Sequence, residues 1–351
     1  MCLGKTIMRP SRYSAATARY AQRHNDDDLT ESDNPMSIRL GIVMDPIQTI
    51  TIKKDSSFAM LLEAQARGYE LHYMEMSDIR VRRGVARGRT RSLSVQEDPN
   101  SWFTFGAEHD VELGSLDVIL MRKDPPFDME FIYATYALEL AEDQGALIVN
   151  KPQSLRDANE KFFTAWFPHC TPETLITRSD ADVREFLAEH GDIIIKPLDG
   201  MGGASIFRIR EGDPNTSTIV ETLIAHGERF AMVQVYVPEI LDGDKRVLVI
   251  DGKPIPYALA RVPAEGELRG NLAAGATPVG REITDRQRWL AEQIGPTLKE
   301  KGLIFVGLDV IGDFVTEINV TSPTCIRELD NTFGCNIAGW LFDAIELRLN
   351  S

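Results

Sequence analysis

Apolar positions along the chain begin to fall into regular patterns at residue 38. Residues 40–44 (Leu-Gly-Ile-Val-Met) form a short apolar run ending at Asp45-Pro46, which predicts a buried strand. Phe58, Leu61 and Leu62 recur at helical spacing within 57–67, and Gly68 supplies the stop. Residues 69–76 alternate like a strand, and the arginine-rich stretch 80–91 reads as a solvated hairpin. A second buried strand is predicted at 116–121, a helix at 129–143 and a further strand at 146–149. Strands alternating with helices imply a mostly parallel sheet covered by helices.

Past Lys151-Pro152 the pattern changes to short strands separated by turns. Strands are predicted at 193–196, 205–210, 231–237, 246–250, 304–311 and 314–320, with helices at 181–190, 218–226, 285–301 and 336–348. This is an α+β pattern with antiparallel pairs. Residues 1–35 show no core-forming periodicity. They are basic up to Arg23, acidic at 26–28, and lack the apolar run of a secretory signal. A disordered extension, or a start assigned too early, is expected there, because Met36 opens the first patterned segment. No repeat or low-complexity tract occurs within 36–351.

A length of 351 residues accommodates two or three domains, and 43% apolar with 26% charged residues is the balance of a soluble globular chain. No apolar run reaches the roughly 18 residues of a membrane span. Cys2, Cys170, Cys325 and Cys335 are scattered, without a CxxC pair. That argues against a zinc site or disulfide framework and for a reducing cytoplasm. The net charge of −15 repels nucleic acid and anionic membrane. An anionic ligand would therefore need basic residues gathered locally.

Three constellations could do so. In Lys196-Pro197-Leu198-Asp199-Gly200-Met201-Gly202-Gly203-Ala204-Ser205, a strand delivers a lysine to a glycine-rich turn that enters another strand. Backbone N–H groups of such a turn can approach phosphate oxygens closely, although a glycine-rich hairpin is also a common structural turn. In Glu317-Ile318-Asn319, positions i and i+2 share a strand face. With Asp309 they offer oxygen ligands suited to Mg²⁺ bridging phosphates. Whether Asp309 joins that face depends on the turn at Gly312-Asp313. A two-residue turn puts it opposite, a three-residue connection directly across from Glu317. Finally, Arg246, Arg261 and Arg269 surround the stretch 262–280, whose Gly270-Asn271-Leu272-Ala273-Ala274-Gly275 has the composition of a mobile lid. Lys161 and the apolar segment Gln234-Val235-Tyr236-Val237-Pro238 are unremarkable by themselves.

In this order the features resemble those of an ATP-grasp ligase. Four further motifs sharpen the likeness to the prokaryotic glutathione synthetase family: Lys53-Lys54-Asp55-Ser56-Ser57, Arg122-Lys123-Asp124-Pro125-Pro126-Phe127-Asp128, Asn150-Lys151-Pro152-Gln153-Ser154-Leu155-Arg156 and Thr321-Ser322-Pro323-Thr324-Cys325-Ile326-Arg327-Glu328. The resemblance runs from 36 to 348 and departs most at Ala276-Thr277-Pro278-Val279. It implies an ATP-grasp fold, α/β and α+β, with an N-terminal Rossmann-like (pre-ATP-grasp) domain at 36–157. The ATP-grasp domain would follow at 158–351, with a lid at about 262–280.

The resemblance also implies roles. Lys161, Lys196, Gly200, Met201, Gly202, Gly203, Ala204 and Ser205 would hold ATP phosphates, Gln234, Val235, Tyr236 and Val237 the adenine, and Asp244 the ribose. Asp309, Glu317 and Asn319 would carry two Mg²⁺ ions, which Mn²⁺ could replace. Arg246, Arg261, Arg269 and Asn271 would serve catalysis. Lys54, Arg122, Asp124 and Arg327 would hold γ-glutamylcysteine, to be joined to glycine through an acyl phosphate. That route needs no side-chain nucleophile, so the missing Ser-His-Asp pattern is expected. A cytoplasmic homotetramer without nucleic-acid or membrane partners completes the expectation. A D-alanine–D-alanine or glutamate-tailing ligase would share the metal strand but not 122–128 and 321–328. A non-catalytic ATP-binding regulator would not need Lys196, Arg261, Glu317 and Asn319 intact.

Overall fold

The computed structural model describes residues 37–351 except 201–202, 265, 267–269 and 271–274. The expectations for residues 1–35, and for Met201, Gly202, Arg269 and Asn271, lie outside the described residues. The first sheet is built from β1 (Arg39–Val43), β2 (Glu70–Met74), β3 (Ile79–Arg82), β4 (Val85–Val95), β5 (Phe103–Glu112), β6 (Val118–Met121) and β7 (Leu147–Val149). Strands β2-β1-β6-β7 are parallel, as the strand–helix alternation predicts. Helices α1 (Ser56–Ala66) and α2 (Met129–Asp143) begin at Asp55 and Asp128, whose carboxylates accept from the N–H of Phe58 and Phe131. A short α3 (Pro152–Asp157) follows β7.

The arginine-rich stretch does form a hairpin. Its two-residue turn, Arg83-Gly84, has positive φ at both positions (54° and 77°), the geometry that matches strand twist. The hairpin is not isolated, however. Strand β4 runs on to Val95 and pairs antiparallel with β2 and with β5. The charged, outward-facing half of β5 hid its strand pattern in the sequence.

The second sheet, order β10-β9-β11-β8, is antiparallel: β8 (Thr174–Thr177), β9 (Asp192–Pro197), β10 (Phe207–Arg210) and β11 (Ala231–Val235). It packs on α4 (Asp180–His190) and α5 (Thr216–Ile224) around its own core of Val183, Ile193, Ile195, Val220 and Val233. The third, order β14-β13-β12-β15-β16, comprises β12 (Asp244–Ile250), β13 (Lys253–Val262), β14 (Thr277–Glu282), β15 (Phe305–Ile311) and β16 (Phe314–Asn319). Helices α6 (Asp285–Glu300), α7 (Ile326–Phe333) and α8 (Ile337–Leu349) accompany it. Strands β8, β13 and β14 and helix α7 were not read from the sequence. Of the stretch expected as a lid at 262–280, Val262 belongs to β13 and 277–280 to β14.

The first and third sheets share their apolar interior. Val43, Met121 and Phe131 join Val249, Leu308 and Ile318 in one cluster, and Leu40, Phe58 and Tyr73 join Leu248, Ile326 and Phe342 in another. Buried Asn150, just past β7, bridges the two sheets. Its Nδ2 donates to the carbonyls of Phe305 and Val320, both at 2.7 Å, and its Oδ1 accepts from Phe305 N at 2.9 Å. Removing this amide strands three buried backbone groups, each costing about 1–3 kcal/mol when left unpaired. Asn150→Ala is therefore expected to lower stability by roughly 2–4 kcal/mol, partly offset by relaxation, as read from the urea midpoint.

Candidate active site

The third sheet carries charged residues on one face. Register pairs Asp244 with Arg261, Arg246 with Asp309, and Asp309 with Glu317. Facing side chains therefore meet across four strands, β13, β12, β15 and β16. Arg246 grips Asp309 in a fork, Nε to Oδ1 at 2.5 Å and Nη2 to Oδ2 at 3.1 Å. Arg261 Nη2 lies 2.9 Å from the same Oδ2 and donates to Asp244 Oδ2 at 2.5 Å. All three of Arg246, Arg261 and Asp309 are buried. Gly307 gives the Arg246 side chain room, since a Cβ there would sit 2.8 Å from Arg246 Cδ.

The register left open by the sequence is settled by a β-bulge. Ile311 pairs with Phe314 across the two-residue turn, which without interruption would set Asp309 opposite Thr316. The ladder shifts between Asp309 and Val310, Thr316 becomes the extra residue, and Asp309 faces Glu317. The Thr316 hydroxyl donates to the Asp309 carbonyl at 3.2 Å, giving the bulged residue a partner.

Two lysines from outside this sheet converge on Glu317. Lys196, at the end of β9, places Nζ 3.7 Å from Glu317 Oε1, and Lys161 Nζ lies 3.6 Å from the same oxygen. Lys161 also donates to Gly200 O at 2.6 Å and to the Glu160 carboxylate. Burial lowers the Lys196 pKa despite Glu317. For Lys161 burial acts in the same sense, but Glu317 and Glu160 outweigh it and the pKa rises. Burial would raise the Asp309 carboxyl, yet Arg246 and Arg261 hold it well below the ordinary range. Asp244, desolvated and facing Asp309 and Glu317, is pushed up to about 7 against the pull of Arg261.

These groups line a cavity of about 500 Å³. Ile194, Val235, Tyr236, Val237, Ile240 and Ile311 give it an apolar wall, with Gln234 beside them. Gly200, Gly203 and Ala204 line it too; Ser205 does not, and adopts a positive φ of 59°. Asp124, Pro125 and the residues from Thr321 to Cys325 also line it, as do Gly266 and Gly270. Three of the expected substrate residues lie outside the lining. Arg122 is buried, its Nε on Ser57 Oγ (3.0 Å) and its Nη2 on Pro323 O (2.8 Å), so it braces the 321–325 segment from behind. Arg327 pairs with Glu97 at 2.5 Å, and exposed Lys54 acts on Glu328. Sequence reading missed Glu160 and Arg208. The Arg208 guanidinium lies 3.4 Å from the Tyr236 ring centre and pairs with Asp192 through both carboxylate oxygens. The alternation of apolar and basic residues in Phe207-Arg208-Ile209-Arg210 along β10 was the available signal.

Among the described lining residues, five cations (Lys161, Lys196, Arg208, Arg246, Arg261) face five carboxylates (Asp124, Glu160, Asp244, Asp309, Glu317). The described lining residues thus offer a polyphosphate at most a small cationic surplus, left by the partly protonated Asp244. The donor set of Asp309, Glu317 and Asn319 is all hard oxygen, and the Asn319 amide is buried with its Nδ2 unpartnered. The oxygen donor set fits a divalent cation such as Mg²⁺, whereas the Nδ2 is a donor and calls for an acceptor.

Residues 160–334 match the ATP-grasp domain of prokaryotic glutathione synthetase, and residues 38–156 its N-terminal domain. Glutathione synthetase of Escherichia coli O6:H1 is 67% identical over 312 residues, 89% of this chain and 99% of that protein. The Vibrio parahaemolyticus glutathione synthetase is 64% identical over the same shares, 89% and 99%. Among solved structures, D-cycloserine synthetase DcsG superposes with a TM-score of 0.61 at 18% identity, over 88% of this chain and 99% of its own. The ATP-grasp ligase PsnB, complexed with minimal precursor, Mg and ADP, gives 0.59 at 19% identity over 89% and 98%. At these identities the structural likeness speaks to fold alone.

Asp309→Asn would leave two buried guanidiniums facing a neutral amide. Breaking a buried ion pair from one side typically costs about 3–5 kcal/mol, and a loss of that order is expected in urea unfolding. The sign with pH follows from the depressed carboxyl. Its stabilisation is complete above the unfolded-state value of about 3.9 and fades only as pH falls below it, so the variant should show a flatter acid limb than the wild type.

Proposed function

Since the chain belongs to the prokaryotic glutathione synthetase family, and is thus an ATP-dependent ATP-grasp ligase that makes glutathione, we propose that its cavity runs the reaction through an acyl phosphate held between the two lysines and the Asp309–Glu317 strand pair. A carboxylate is a poor acyl donor because oxide would have to leave. Moving the γ-phosphate of ATP onto the cysteinyl carboxylate of γ-glutamylcysteine makes phosphate the leaving group. The glycine amine then attacks the carbonyl, and collapse of the tetrahedral adduct releases phosphate. Positioning and charge neutralisation are all the protein must supply.

The observation that carries this reading is the convergence of Lys161, Lys196, Asp309 and Glu317 in one buried cavity. Lys161, Lys196 and the backbone amides of 200–205 would hold phosphates, while the apolar wall with Gln234–Val237 takes the adenine and Asp244 the ribose. Asp309, Glu317 and Asn319 would hold two Mg²⁺ ions, or Mn²⁺ in their place; such ions would add positive charge to the cavity. Arg246 and Arg261 would face the oxygens of the acyl phosphate and its successor. Asp124 and the 321–325 segment border the space for γ-glutamylcysteine and glycine, with Arg122 bracing that segment and Lys54 and Arg327 available to outer carboxylates. Arg269 and Asn271, between β13 and β14, would close over the site and keep water from the intermediate.

A homotetramer is the family-based expectation. A cytoplasmic location is supported by the unpaired cysteines among the described residues, Cys170, Cys325 and Cys335. Among the described residues no helix is long and apolar enough to cross a membrane.

Two measurements test the chemistry. With ¹⁸O in the cysteinyl carboxylate of γ-glutamylcysteine, one labelled oxygen should appear in the released phosphate; unlabelled phosphate rules out the acyl-phosphate route. Glu317→Gln keeps the size of the side chain and removes its charge. Turnover should drop roughly hundredfold, about 3 kcal/mol of transition-state stabilisation. Near-normal turnover at saturating Mg²⁺ would count against a ligand role.

A further inference from the structure

The segment Asn159-Glu160-Lys161 touches both sides of the cavity. On one side, Ile318 N donates to Glu160 O at 2.8 Å, which fastens the segment to β16 between Glu317 and Asn319. On the other side, Asn159 Nδ2 donates to Leu198 O at 3.0 Å and Lys161 Nζ to Gly200 O at 2.6 Å, both in the glycine-rich turn after β9. The turn and the strand belong to different sheets, and only the second sheet has a core of its own. Their separation therefore depends on such cross-links, because no common apolar core fixes it.

We propose that Asn159 is a positioning residue: its carboxamide sets the distance between the phosphate-holding turn and the Glu317–Asn319 strand. This rests on the reading of 200–205 as a phosphate loop. The side chain divides its two ends between two tasks. Its Oδ1 accepts from Lys161 N at 3.1 Å and Phe162 N at 2.8 Å, closing the turn into the short 3₁₀ helix Phe162–Trp166 and fixing where the Lys161 side chain starts. Its Nδ2 is the donor to Leu198 O. Among short side chains only an amide offers an acceptor and a donor fixed on one planar group. A γ-phosphate gripped from both sides tolerates misplacement of well under an ångström, so a slack tether should be felt in nucleotide binding first.

The test uses the full chain carrying Asn159→Asp. Aspartate keeps both Oδ1 contacts but turns an oxygen toward the Leu198 carbonyl. The KM for ATP should rise roughly tenfold, the scale of one lost hydrogen bond with an oxygen–oxygen repulsion in its place. The KM values for γ-glutamylcysteine and glycine should stay within about twofold, and the melting temperature within about 2 °C, since the turn stays capped. Asn159→Ala, which loses both ends, should add a clear drop in melting temperature. Hydrogen exchange of the amides at 203–206, with and without ADP and Mg²⁺, separates the two claims. Protection by nucleotide in the wild type, weakened in Asn159→Asp, is the expected result. Equal protection and equal KM for ATP in both proteins would overturn the tether, as would a parallel rise in all three KM values. A wild-type turn that gains no protection would remove the phosphate-loop reading, and the tether with it.

Discussion

The carboxylate of Asp309, buried between the guanidiniums of Arg246 and Arg261, is the interaction on which the rest of this site depends. Two arginines on adjacent strands would repel each other if buried without a counter-charge, and one carboxylate cannot neutralise both. Asp244 supplies the second anionic position, at the edge where β12 meets β13. The result is a chain of paired charges across the sheet, beside which Glu317, facing Asp309, reaches toward Lys161 and Lys196. Such a chain fixes side-chain positions because moving any one member leaves another buried and unpaired.

The packing beneath explains why this sheet can carry so much charge on one face. Val247, Val249, Leu308 and Ile318 bury its other face in one apolar cluster, while Leu248, Ile250 and Phe305 continue the charged face into a second cluster shared with the first sheet, and Asn150 stitches Phe305 and Val320 to the end of β7. The second sheet is organised differently, closing its own small core with α4 and α5. A ligand seated between a rigid platform and a smaller self-contained unit meets polar groups from both. The cross-links at Asn159, Lys161 and Lys196 are the described hydrogen bonds by which the two units meet at the cavity.

Charge balance connects this framework to chemistry. The described cations and carboxylates of the cavity are equal in number, and with Asp244 raised to about 7 their net charge is small, so bound counter-ions would add to the pull on a polyphosphate. The ion pairs buried around Asp309 hold their charged groups in place before any ligand arrives.

Much of this was legible in the sequence. Apolar runs at 40–44 and 116–121 had to be buried strands because both faces are apolar, and both became neighbours in a parallel sheet. The i, i+2 spacing of Glu317 and Asn319 fixed their common face, since side-chain period along a strand is local geometry. The arginine hairpin and the Asp caps of α1 and α2 are local as well. Strands β5, β13 and β14 were not legible, because their pattern makes sense only once partners cover one face. Asp309 is the sharpest case. Local turn logic sets Ile311 against Phe314 and would turn Asp309 away from Glu317. The bulge at Thr316, an extra residue that only the paired strand can accommodate, brings it across. The sequence by itself determined which charged residues fall on which faces of their own strands. Only the tertiary structure decided which carboxylate meets which arginine, because register and burial are properties of the pairing and not of either strand alone.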